Sequence, residues 1–160
     1  MHTDAHSGTE VFESILSAAG PLVALDTDDS APLLDQFRLV ARRTGQAVYL
    51  WRQGEGLCSL RDAQMRVPGC VRLGDALRYI LQSLHFGVYL VEMPEGVPSA
   101  TDSALLRQLA RAQTEHVRRV VLLGASSSLL GALDNVVARV DADWRTRTVK
   151  PRLRDGRWVV

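Results

Sequence analysis

The sequence contains no glycine-rich phosphate cradle. It has one lysine among its 19 basic residues, two cysteines, and no apolar run long enough to cross a bilayer. Each shortage excludes something. A span needs about 20 consecutive apolar residues, and none is present. The polar, acidic first ten residues do not read as a signal peptide, so the chain reads as cytoplasmic. Cys58 and Cys70 stand twelve apart, without the close spacing of a zinc site. They read as two reduced thiols, and no metal or cofactor is expected. The scarcity of lysine reflects coding bias and carries no mechanism.

The missing phosphate loop matters most. A cradle needs clustered glycines, then a lysine and a Ser or Thr. Residues 26–29 (DTDD) offer acids instead, which repel phosphate. Gly54-Glu55-Gly56 lacks a third glycine and a following helix. Between Gly124 and Gly131 the spacing fits, but Ala132 and Leu133 stand where Lys and Ser/Thr are required. His85 and His116 fall at helix ends, and no Ser–His–Asp or Cys–His arrangement is visible. The chain is expected not to be an enzyme.

What is present is an alternation. Near-continuous apolar runs at 21–26, 46–51, 87–93 and 117–125 are separated by helix-period segments. Runs apolar on both sides are strands covered by helices on both faces. The strongest helical signal is Leu73, Ala76, Leu77, Ile80, Leu81 and Leu84. Thr9 caps a first helix, Asp29 or Ser30 a second that Gly45 stops, and Thr101 a fourth. A short helix at 126–133 and a fifth, weaker strand at 136–140 follow. The 52–72 connection is irregular, with a small hairpin at 57–60 and 65–67. Connections of this length are often functional. The fold class is therefore α/β: one three-layer domain, a mostly parallel sheet of about five strands, and helices on both faces. The organisation reads as a disordered tail at 1–8, the domain at 9–144, and a basic β-hairpin at 145–160 turning at Asp155-Gly156.

Ligands of such sheets bind at the carboxyl ends of the strands. Asp26, Asp28, Asp29, Glu92 and Ser126 fall there as a candidate acidic pocket, able to hold Mg²⁺ through hard oxygens. The competing reading makes Asp28, Asp29 and Ser30 turn and cap residues. Charge is uneven along the chain. Residues 1–37 carry seven acids and no Lys or Arg. The other end carries Arg145, Arg147, Lys150, Arg152, Arg154 and Arg157, with Trp158 among them. These form a candidate partner-binding surface. Near-neutral overall charge disfavours nucleic acid and favours a protein partner; a homo-oligomer is compatible.

Two resemblances follow from these residues. The acids at 28 and 29, Ser126 and the Lys150-Pro151 step resemble the response-regulator receiver pattern, with Glu92 at the phosphoacceptor place, where a glutamate forms no aspartyl phosphate. More extensively, residues 21–28 (PLVALDTD), 40–57 (VARRTGQAVYLWRQGEGL), 75–90 (DALRYILQSLHFGVYL) and 105–124 (LLRQLARAQTEHVRRVVLLG) resemble an N-terminal region. It belongs to a family of AAA+ ATPases from cyanobacteria, plastids and other bacteria. The likeness covers residues 10 to 140. It implies a degenerate P-loop-like or RecA-like scaffold without its chemistry, used for interaction or regulation in a larger bacterial assembly. The alternative is a degenerate receiver or a nucleotide- or metal-sensing domain.

Overall fold

The computed structural model describes residues 2–27, 29–62, 64–142, 152–154 and 157–159, with side chains for 8–27, 29–62 and 64–142. Helix α1 (His2–Leu16) leads into β1 (Leu22–Asp26), α2 (Ser30–Thr44), β2 (Val48–Arg52) and β3 (Gly56–Ser59). Then come α3 (Leu73–Leu81), β4 (Gly87–Glu92), α4 (Ala100–Arg111), β5 (Arg118–Leu123), α5 (Ser127–Ala132) and β6 (Ala138–Asp141). Two short strands, β7 (Arg152–Arg154) and β8 (Arg157–Val159), pair antiparallel.

The main sheet has six strands in the order β3-β2-β4-β5-β1-β6. Only β3 is antiparallel, as a hairpin on β2 with Leu50 opposite Cys58. Counted in chain order, the parallel strands run 2-3-4-1-5. The receiver order is 2-1-3-4-5, so the first strand here lies between β5 and β6 and not beside β2. The receiver resemblance therefore does not extend to the topology.

Strand alternation divides the core in two. Val23, Leu25, Val48, Leu50, Val88, Leu90, Val121 and Leu123 face α1 and α2. Leu22, Trp51, Val91, Val120 and Leu122 face α3, α4 and α5. Between the first two helices, Phe12 meets Phe37 edge-on at 5.6 Å. Full burial of each such side chain stabilises by roughly 1.5–3 kcal/mol.

Several boundaries differ from the sequence reading. The segment 1–8, expected as a disordered tail, contributes residues 2–8 to α1, which starts well before Thr9. Gly8 explains the extension: it is buried against α2, and a Cβ there would lie 2.5 Å from Gln36 Cβ. The glycine lets the two helices approach, and tertiary packing outweighs its poor propensity. The sheet gains a sixth strand because 56–59 pairs with β2, while the expected small hairpin survives as a bridge between Cys58 and Arg66. Helix α3 stops at Leu81, leaving Leu84 78% exposed outside the apolar stripe. Ser99, not Thr101, caps α4, accepting from Asp102 N at 3.0 Å. Strand β6 begins two residues later than expected; Val136 and Val137 pack against the core before it begins.

Candidate functional site

The chain leaves β1 for α2 on one face of the sheet and leaves β5 for α5 on the other. The crevice between the carboxyl ends of these neighbours is the topological switch point, where such sheets bind ligands. Asp29 stands at its α2 side. It is the helix N-cap, and its carboxylate accepts from Ala31 N at 3.1 Å. Thr27 Oγ1 donates to Asp29 O at 3.2 Å and tightens the turn. An external anion at this terminus would have to displace the protein's own carboxylate from the donors that attract it. Across the crevice, Ser126 caps α5 by accepting from Leu129 N at 3.1 Å.

The other acidic candidates lie apart from these caps. Asp26 ends β1 in register with Asp141 of β6. Glu92 sits on β4, two strands from β1, or roughly 10 Å at the usual strand spacing. There it pairs with Arg52 Nε at 3.1 Å, on the neighbouring β2 and so on the side of β4 away from the switch point. Asp28 lies outside the described residues. Among the described residues, His, Cys, Asp and Glu side chains do not gather in threes.

A concave site lies elsewhere along the same edge. Beyond the ends of β2 and β4, the first turns of α3 and α4 enclose a groove of about 410 Å³. Its walls are Gln53-Gly54, Val71–Leu73 and the Pro94–Ser99 loop, with Trp51 and Asp102. Trp51 is 2% exposed, and its Nε1 donates to Cys70 O at 3.1 Å. That bond ties the long 52–72 connection to the sheet. Gly56 (φ 84°) lets the chain pass closely; a Cβ there would stand 3.2 Å from Cys70 O. Burial, then the Asp75 charge, push the Cys70 thiol up, so it stays protonated. Over this fixed base two apolar side chains stand in water, Val71 at 56% and Val97 at 86% exposure. Pro94 and Pro98 bracket Val97 and restrict its loop.

The model of the SpoVK-like AAA ATPase N-terminal domain matches residues 9–142, the span of the α/β domain just described. The chain belongs to that family. No curated protein matches it in sequence.

Two buried or half-buried positions that hold the fold escape sequence reasoning. Arg118 and Arg119 open β5, and strand alternation sends their side chains to opposite faces. Arg118 is 2% exposed, and its Nη1 donates to Ile80 O and Leu81 O, both at 3.0 Å, sealing the carboxyl end of α3. Half-buried Arg119 seals α1, with Nε to Ile15 O at 3.1 Å and Nη2 to Leu16 O at 2.8 Å. Cations suit helix carboxyl ends, where carbonyls lack partners. Burial lowers the pKa of both guanidinium groups. The available signal was an Arg-Arg pair heading a run otherwise apolar on both faces.

The basic segment is described only in part. Arg152 and Arg154 lie on β7, Arg157 and Trp158 on β8, with Leu153 in register with Trp158. Arg145, Arg147, Lys150 and the Asp155-Gly156 turn lie outside the described residues. No helix among the described residues is long and apolar enough to cross a membrane.

Proposed function

We propose that this chain is a non-catalytic interaction and regulatory module that serves an AAA-type ATPase within a larger bacterial assembly. The observation that carries the reading is the groove between the ends of β2 and β4, rimmed by Val71 and Val97 over a base held by Trp51. Exposed apolar side chains on a restrained loop beside a preformed concavity are features of protein-docking surfaces. The family supports the choice of an AAA ATPase as partner, because its model is that of an AAA ATPase N-terminal domain. The self-capped α2 terminus supports a scaffold that has given up phosphate chemistry.

The test is binding of the purified chain to a family ATPase domain, read by calorimetry together with the ATPase rate. Saturable binding that falls at least tenfold in Val97→Asp and Val71→Asp supports the reading. Binding unchanged in both variants, or no binding at all, refutes it. The basic residues Arg145, Arg147, Lys150, Arg152, Arg154 and Arg157 provide a second contact surface in this proposal. Reversing Arg147, Arg152 and Arg154 together weakens capture and steepens its salt dependence.

A further inference from the structure

On the α2 side of the sheet, a small cavity of about 130 Å³ opens between α2 and the β2–β3 hairpin. Three arginines from three separate elements line it: Arg38 from α2, Arg52 from the end of β2, and Arg66 from the segment bridged to β3. Among the described residues Glu55 is the one carboxylate in the lining, while Asp35 and Glu92 pair with two of the arginines from outside it. We infer that this cavity is a binding site for a phosphate-class oxyanion.

Among the described residues, each guanidinium is held by one contact. Arg38 Nη1 meets Asp35 Oδ1 at 3.0 Å, Arg52 Nε meets Glu92 at 3.1 Å, and Arg66 Nη1 donates to Glu55 O at 2.8 Å. A guanidinium carries five N–H donors in a rigid fork. One contact therefore fixes each side chain while leaving further donors for a ligand. Ser59 Oγ accepts from the backbone N–H of Arg61 and of Asp62, both at 3.1 Å, which leaves its own O–H to donate.

Three forks from three separate elements suit a tetrahedral oxyanion better than a planar carboxylate, which one arginine satisfies bidentately. Size narrows the ligand further. Pockets for whole small molecules occupy about 300–1,000 Å³, so 130 Å³ admits a phosphoryl group and not a nucleotide. The group comes either as free phosphate or on a phosphorylated side chain of a partner protein. The inference stands on the cavity alone and does not depend on the groove.

Calorimetric titration of the full chain with inorganic phosphate, against chloride at matched ionic strength, is the test. A saturable one-site isotherm is expected, about tenfold weaker in Arg38→Gln and in Arg66→Gln and unchanged in Arg42→Gln, which lies outside the cavity. Arg66→Lys separates fork from charge and is expected to lose several-fold. Thermal melts of each variant establish that it is folded. A phosphoserine peptide that binds more tightly than phosphate, with the same arginine dependence, assigns the source to a partner; the reverse order assigns a free ion. No saturable binding, or equal losses in Arg42→Gln, overturns the inference.

Discussion

Replacing Arg119 by Met should destabilise the domain at least as much as replacing Arg118 by Met, although Arg118 is the more deeply buried. Arg119 donates to Ile15 O, Leu16 O and Arg118 O, the last at 3.1 Å. Bonds from a charged donor contribute about 1.5–3 kcal/mol each. Water recovers part of that at a half-buried site, leaving a net loss of about 2 kcal/mol. Arg118 balances differently. Met loses the bonds to Ile80 O and Leu81 O, but it also removes Nε and Nη2, buried nitrogens without a partner among the described residues. Orphaned buried polar groups cost about 1–3 kcal/mol each. Met keeps the apolar stem, so losses and relief nearly cancel, to within about 1 kcal/mol. For a domain of this size, 1 kcal/mol moves Tm by about 2–4 °C. Urea and thermal unfolding followed by circular dichroism read both values, and amide exchange at Ser17 and Ala18 reports the end of α1. A loss of 3–5 kcal/mol in Arg118→Met, well above that of Arg119→Met, would refute the balance and show the orphan nitrogens to be satisfied.

Other consequences are simpler. Gly8→Ala gains about 1 kcal/mol of helix propensity but sets a Cβ 2.5 Å from Gln36 Cβ; a net loss of about 1–2 kcal/mol is expected, and a stabilised variant would contradict the close approach. Asp29→Ala removes the α2 cap at a cost of about 1 kcal/mol. In the wild-type chain, millimolar ATP with Mg²⁺ should leave Tm within 1 °C of its value without nucleotide, since a ligand at 100 times its Kd stabilises by about 2.7 kcal/mol; a rise of several degrees would reopen the switch point as a nucleotide site. The two thiols should react unequally with a thiol reagent at pH 8. Partly buried Cys58 reacts in the native state, whereas Cys70, buried and with its pKa raised, reacts only on unfolding.

Legibility in the sequence followed the range of the interactions involved. Runs apolar on both sides announced β1, β2, β4 and β5, because burial beneath helices on both faces leaves no polar alternation to hide them. The caps at Asp29 and Gly45 were legible too, since capping chemistry is local. Strand order was not, because periodicity records which face a residue takes and not which strand it neighbours. Glu92 illustrates the consequence. Its place at a strand end was foreseen, but its pairing with Arg52 depends on β4 lying beside β2. The start of α1 rests on Gly8 meeting Gln36, a contact spanning two helices, and no propensity anticipates it. The groove has the same character. Trp51, Val71 and Val97 come from three separate segments, and only the folded sheet brings them together.

The most direct measurement is hydrogen–deuterium exchange of the chain, alone and saturated with a family ATPase domain. New protection is expected at residues 71–73 and 94–99, around the groove. Protection confined to other surfaces, or none at saturating partner, would contradict the claim that the groove is where this domain docks.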